Sequence, residues 1–320
     1  MTKREGCLGI DTSCYTTSAA VAKGGEIAAF QRKLLPVPAG ERGLRQSEAV
    51  FAHIKQLPEI LETAIGEAGT LPACVCVSSS PRDGEDSYMP VFLTGMAIAR
   101  SIAAAAGIPL YSTTHQRGHI RAAMIGTGIG GEEPFLAVHL SGGTTDVLLR
   151  RPDGSAETLG TSLDLHAGQL VDRIGVRMGL PFPSGRYLEE TARKCPAPPK
   201  ALLKVSMDGG NCHLSGCETA LISLMDKGLP GEEAALEVYS VLCRTVLRML
   251  ASAKEKTGVR RCLIAGGVAS SLLLREMIAE RNKKRGLGLE IYFGEPKYSS
   301  DNAAGVALLG EEMHLCGGRG

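Results

Sequence analysis

Residues 135–149, FLAVHLSGGTTDVLL, place two apolar runs on either side of Ser141-Gly142-Gly143-Thr144-Thr145. The pattern predicts strand, polar glycine turn, strand, with a closing turn at Pro152-Asp153-Gly154. Two glycines let backbone N–H groups converge on an anion with no Cβ in the way, and the flanking hydroxyls add donors, so phosphate suits this turn. A plain tight hairpin reads as well from the same residues. The segment LGIDTSCYTTSAAVAKGG near the N-terminus has the same layout. At an offset of 128 residues Ser13 lies under Ser141, Thr16 under Thr144, Thr17 under Thr145 and Asp11 under His139. Two such units, each opening about half of the chain, predict a duplicated domain with two phosphate turns facing one cleft, and Asp11 and His139 near its floor.

A chain of 320 residues has room for two domains, each with its own core. The net charge of +1 advertises no global attraction for nucleic acid. A nucleic-acid partner needs local patches, for which Lys283-Lys284-Arg285 and Arg260-Arg261 are the candidates, although short basic runs are usually solvated surface. The ten cysteines are scattered with no C-x-x-C pair, which points to reduced thiols and a cytoplasmic protein rather than a zinc ribbon or a disulfide framework. The N-terminus predicts no signal peptide, and the apolar stretch 96–106 is too short to span a bilayer.

In chain order, strands are expected at 8–12, 18–22 and 26–35, a helix with a kink at Pro58 over 44–68, a strand at 74–77, a helix at 91–106 and a strand at 109–112. That order resembles half of a ribonuclease-H-like fold. His115 and His119 follow, four apart, so on a helix their rings share a face and suit one metal; such spacing also occurs by chance. Gln116 stands where a zincin carries its glutamate base, which argues against that kind of protease. After the 135–160 strands come a helix over 162–178 carrying Asp172, a loop-rich insertion near 186–230, a long amphipathic helix over 232–256, and a strand at 262–265. The last runs into Gly266-Gly267 and a helix over 269–281, an element that admits a nucleotide base or ribose, or is simply a tight turn. A strand at 289–293 and a helix from Ser300-Asp301-Asn302 to Met313 close the chain, with Asp301 a candidate N-cap. Domains are therefore expected at 1–113 and 114–320.

The blocks GIDTSCYTTSAAV, HQRGH, LSGGTTDV, LDLHAGQLVDRIGVRMGL, HLSGCETA, LIAGGVASSLLLR and SSDNAAGVA occur in the order seen in the TsaD/Gcp family, which this chain resembles over nearly its whole length. The resemblance implies an α/β fold of two ribonuclease-H-like domains, of the actin/Hsp70/sugar-kinase superfamily, around a nucleotide cleft. It implies transfer of a threonylcarbamoyl group from threonylcarbamoyl-adenylate to N6 of the tRNA adenine 3′ of the anticodon. By the same resemblance His115, His119 and Asp301 hold one metal ion, iron or zinc, with His139 a candidate fourth ligand. Ser141, Gly142, Gly143, Thr144, Asp172, Gly185, Gly266, Gly267 and Ser271 bind an adenine nucleotide or the adenylate, and Asp11 is the candidate catalytic residue. The implied partners are TsaB-like and TsaE-like proteins and tRNA, with no membrane and with homo- or heterodimerisation open.

The chain also departs from the family. Its C-D-E-T motif reads Cys14-Tyr15-Thr16-Thr17, Arg117 replaces the Glu of H-x-E-G-H, Thr144 replaces a common His, Glu218 a Lys and Ser271 an Asn, and the glycine-proline-glycine loop has become Ser80-Pro81-Arg82-Asp83. Binding residues survive better than reaction-centre residues. The alternatives are a non-catalytic nucleotide-binding paralog that regulates or binds a TsaB-like partner, and, further off, a metallopeptidase or a sugar or acetate kinase.

Overall fold

The computed structural model describes residues 4–13, 16–36, 44–84, 87–299 and 303–317. The chain divides into two units, Met1–Ile125 with Ser300–Gly320, and Gly126–Ser299. The first contains strands β1 (Cys7–Asp11), β2 (Thr16–Lys23) and β3 (Glu26–Leu34), then helix α1 (Gln46–Ala68), β4 (Cys74–Ser80), α2 (Phe92–Ala106), β5 (Leu110–Thr114) and α3 (His115–Ala123). Its sheet has the order β3-β2-β1-β4-β5, with the first three strands antiparallel and β4 and β5 parallel to β1. Helix α1 runs unbroken through Pro58.

The second unit contains β6 (Phe135–Leu140), β7 (Thr145–Arg150), β8 (Ala156–Thr161), α4 (Ala167–Arg177), α5 (Gly185–Ala192), β9 (Ser206–Asp208), β10 (Asn211–His213), α6 (Ser215–Asp226), α7 (Gly231–Thr257), β11 (Arg261–Ala265), α8 (Leu272–Arg285) and β12 (Glu290–Phe293). Its sheet, β12-β11-β6-β7-β8, is the first sheet read from the other edge. The internal repeat inferred from the offset is thus present strand for strand: β6 stands for β1, β7 for β2, β8 for β3, β11 for β4 and β12 for β5. The final helix, α9 (Ala304–Gly317), belongs to the first unit.

Strand alternation sets the faces of the first sheet. Leu8, Ile10, Val75 and Val77 pack with Leu57, Ile60 and Ala99 of α1 and α2. Cys7, Cys74 and Cys76 face the other way and pack with Val306 of α9. That second face is closed very tightly: a Cβ on Gly9 would lie 2.4 Å from the Ala307 amide nitrogen, and one on Gly305 would lie 1.9 Å from the Gly118 carbonyl of α3. Asp11 and Ser78 continue the Cys7-Gly9 and Cys74-Cys76 alternation, so both point towards the face that α3 and α9 cover.

Several boundaries differ from the expectation. The first unit extends to residue 125 rather than 113 and takes back the last helix, because α3 and α9 pack on each other and on the first sheet. Helix α4 starts at Ala167 instead of Ser162, since the Ser162 and Leu163 amides bond to the Thr145 and Cys212 carbonyls and hold that stretch against strands. The 186–230 region is more ordered than a loop, with α5, the β9–β10 hairpin and α6. Residues 268–270 form a short 3-10 turn before α8, which continues to Arg285.

Candidate functional site

In the first unit the Asp11 carboxylate is completely buried. It accepts hydrogen bonds from Ser13 Oγ at 2.7 Å and from Ser78 Oγ, and lies 3.2–3.3 Å from His115 Nδ1. Burial alone would raise its pKa, but the charge of the His115 ring and the bonds from His115, Ser13 and Ser78 outweigh that and hold it below the ordinary carboxylate range. An ionised Asp11 can only accept, so His115 Nδ1 carries the proton and donates, which leaves His115 Nε2 facing His119 Nε2 across 2.8 Å. Helix α3 makes this possible because its first residue is His115 and Thr114 caps it, accepting from the Arg117 amide. The four-residue spacing then stacks the two rings edge to face, with centroids 4.2 Å apart.

The two Nε2 atoms hydrogen-bond to each other, and with that proton removed two imidazole nitrogens, one of them oriented by a buried carboxylate, are donors of the type that zinc or iron accepts. The residues present therefore fit a metal held by His115 and His119. Asp11, the candidate catalytic residue, is fully buried behind His115 and bonded to its Nδ1. Among the described residues no third ligand joins the pair. Asp301 lies outside the described residues, as do Cys14 and Tyr15. His139 stands in the second unit, on β6, opposite Asp146 of β7 and beside Gly266, whose Cβ would meet its Cδ2 at 2.8 Å.

The second unit holds the other candidates. The Ser141–Thr144 turn closes the β6–β7 hairpin, with the Ser141 amide donating to the Thr144 carbonyl. Its counterpart between β1 and β2 is closed in the opposite sense, the Thr16 amide donating to the Ser13 carbonyl, so the two turns match in position and not in hydrogen bonding. The start of α4 is pressed against the 141–144 turn: the Ala167 amide donates to Thr145 Oγ1, the Gly168 amide to the Ser141 carbonyl, and a Cβ on Gly168 would sit 2.7 Å from Gly142. Those helix amides are spent on the turn. A Cβ on Gly142 or Gly143 meets open space, so the approach to the turn's own backbone is clear from that side.

Asp172, Gly185 and Ser271 gather around Tyr239 of α7, which the sequence reading missed. Tyr239 Oη donates to the Gly185 carbonyl at 2.9 Å, and Ser271 and Asp172 are among its neighbours. Burial pushes the Asp172 carboxyl up, offset in part by the Ser184 amide bonded to it at 2.7 Å. Ser271 caps α8 by accepting from the Leu274 amide, and Glu189 takes the Leu273 amide, so the start of α8 already has its anion. Gly266 has φ +106° and would collide through a Cβ with the Leu140 carbonyl at 2.2 Å, whereas a Cβ on Gly267 meets open space. Arg275 ties this turn down, donating to the carbonyls of Ala269 and Gly294 at 2.6 Å each. The 266–271 element thus offers bare backbone to a flat base or a ribose, and the 141–144 turn offers amides to an anion.

A model of the family described as TsaD, tRNA N6-adenosine threonylcarbamoyltransferase, matches residues 38–308. The chain belongs to the TsaD family. A relative, the tRNA N6-adenosine threonylcarbamoyltransferase of Pelobacter propionicus, is 32% identical over 317 residues, which cover 95% of this chain and 90% of that one. Among solved structures, full-length HypF in its phosphate- and nucleotide-bound form matches with a TM-score of 0.65 at 12% identity; this chain is covered completely and spans 48% of that chain. The ROK hexokinase of Thermus thermophilus matches with a TM-score of 0.53 at 18% identity, over 98% of this chain and 99% of that one. These likenesses confirm the fold, two ribonuclease-H-like α/β domains. Two of this chain's departures from the TsaD pattern meet in space: Arg117, in place of the motif glutamate, donates from Nε to Asp83 of the altered early loop at 3.0 Å. Among the described residues no helix is long and apolar enough to cross a membrane.

Proposed function

We propose that this TsaD-family chain binds threonylcarbamoyl-adenylate and transfers its threonylcarbamoyl group to N6 of the tRNA adenine 3′ of the anticodon, in the cytoplasm, with TsaB-like and TsaE-like proteins as partners. The observation that carries the reading is the Asp11–His115–His119 chain of contacts in a protein of this family: a buried carboxylate fixes one imidazole so that the two ring nitrogens face each other. His115 and His119 would hold the metal, which when bound supplies a Lewis acid for a phosphate or carbamoyl oxygen. The Ser141–Thr144 amides and hydroxyls hold the adenylate's phosphate, and the Asp172, Gly185, Tyr239 and Gly267 surroundings hold its nucleoside. In the transfer, the adenine N6 amine attacks the carbamoyl carbon, the bond from that carbon to the phosphate oxygen breaks, AMP leaves with the bonding electrons, and the amine releases one proton. The chain's own contribution is to position donor and acceptor.

A second reading, a nucleotide-binding paralog without transfer activity, is favoured by the burial of Asp11 and by the Arg117–Asp83 pair, which replaces an acidic side chain with a cation beside the histidines. One experiment separates the two. The purified chain, with and without its partners, is given threonylcarbamoyl-adenylate and an unmodified tRNA transcript, and the digested nucleosides are weighed by mass spectrometry. Transfer yields the threonylcarbamoyl adduct and AMP from the wild type, and neither above background from His115→Ala/His119→Ala, which should also purify without stoichiometric metal. A wild type that binds the adenylate yet leaves every adenine unmodified overturns the transferase reading in favour of the paralog.

A further inference from the structure

The basic segment at the end of α8 has no place in the site described above. Lys283, Lys284 and Arg285 are exposed, and among the described residues none of them is paired with a carboxylate. The other basic candidate, Arg260-Arg261, is spent: Arg260 Nε donates to the Gly288 carbonyl at 2.7 Å and Arg261 pairs with Glu133 at 2.8 Å. One turn before the segment's end, Arg281 stands beside Cys243 and Arg244 of α7. Arg244 and Arg248 are one turn apart on α7, about 6 Å along its axis. Among the described residues their hydrogen bonds go to carbonyls, Arg244 Nε to Ser240 at 3.2 Å and Arg248 Nη1 to Val205 at 3.2 Å.

Arg244 Nη2 is buried without an acceptor, and burial together with Arg281 and Arg248 makes the Arg244 cation harder to keep. Glu237 offsets part of this, but among the described residues no carboxylate forms an ion pair with Arg244. Glu237 has both oxygens on the Ala201 and Leu202 amides, and Glu280 makes no ion pair among the described residues. A face with guanidinium groups on two packed helices, mutual repulsion and no bound carboxylate is built for an anion that supplies several charges at once. Guanidinium groups match phosphate geometry, and a row of them suits consecutive phosphates of one strand.

We infer that the Arg244, Arg248, Arg281, Lys284 and Arg285 face of the second unit binds the phosphate backbone of RNA, and so seats the tRNA independently of base sequence. The inference rests on the tRNA-substrate reading above but fails separately from it. The exposed cations carry the test: R248E, K284E and R285E are combined in the full chain, leaving Arg244 and the core untouched. Affinity for the unmodified tRNA transcript and for an unrelated RNA hairpin is measured by fluorescence anisotropy from low to physiological salt. The triple variant should bind both RNAs at least about tenfold more weakly, with a log–log salt slope flatter by about 2–3. Adenine-nucleotide affinity and melting temperature should be unchanged. Equal RNA affinity and equal slope in wild type and variant overturn the inference, as would be found if this face served an acidic protein; so does a wild type that binds no RNA. Patch-dependent RNA binding without any adduct leaves the inference standing and removes the transferase reading instead.

Discussion

Asp164 offers a perturbation whose size can be worked out. Its carboxylate accepts from the Leu165, Leu214 and Ser215 amides and from Ser215 Oγ, and so ties the loop before α4 to the start of α6. Burial acts to raise the carboxyl, but the Ser215 hydroxyl and the three amides outweigh it and bring it from 3.8 down to about 2. At about 1.4 kcal/mol per pKa unit, that difference corresponds to roughly 2.4 kcal/mol of folding stability at neutral pH. The side chain is 25% exposed, so about 2 kcal/mol is the fair expectation. Because the folded-state value is the lower one, this stability is present above about pH 4 and is lost as pH falls towards 2. Asp164→Asn removes the charge and keeps the shape. Urea denaturation at pH 7 should therefore show a loss of about 1–2 kcal/mol, and at pH 3 the gap should narrow by about 1 kcal/mol, since the unfolded carboxylate is by then mostly protonated. A gap as wide at pH 3 as at pH 7, or none at pH 7, would refute the electrostatic account of this junction.

Two further predictions follow from glycine positions. Gly142→Val puts a branched side chain into the open space beside the 141–144 turn, so calorimetry should show adenine-nucleotide binding lost while the melting temperature holds; equal affinity in both proteins would remove the phosphate from this turn. Gly305→Val forces a side chain onto the Gly118 carbonyl, and should cost about 1–3 kcal/mol and lower the metal content by displacing α3; stability and metal content both at wild-type level would show that the α3–α9 contact does not hold the histidine pair in place.

The duplicated sheet was legible because it is written twice in period-two apolar runs, and a turn of fixed length separates the runs each time. The offset of 128 even carries the pairing chemistry: Thr17 and Thr145 occupy equivalent positions, and each turns its hydroxyl to the helix beside its strand, Thr17 to His53 and Gln56 of α1 and Thr145 to the Ala167 amide of α4. What sequence order could not reveal lies where distant segments meet. Tyr239 reads as one more buried residue of an amphipathic helix until α5 supplies the Gly185 carbonyl. Arg117 and Asp83 look like two unrelated losses of family residues until the fold makes them partners. Asp11 is a candidate catalytic residue by resemblance, and its own strand carries the sign of how deeply it is buried. Gly9, two residues earlier on the same face, has no positive φ and sits in no turn, so its lack of a side chain means close approach by another backbone. Gly305 is of the same kind, while Gly118 and Gly310 leave room for the side chains of Val306 and of Cys7 and Cys76, and together the four mark one seam along which α9 is drawn onto β1 and α3. A carboxylate at the end of that seam is sealed from solvent by the packing itself. It keeps its charge through the neighbouring His115 ring and the bonds from His115, Ser13 and Ser78, and by the same contact it holds the ring of His115 in place.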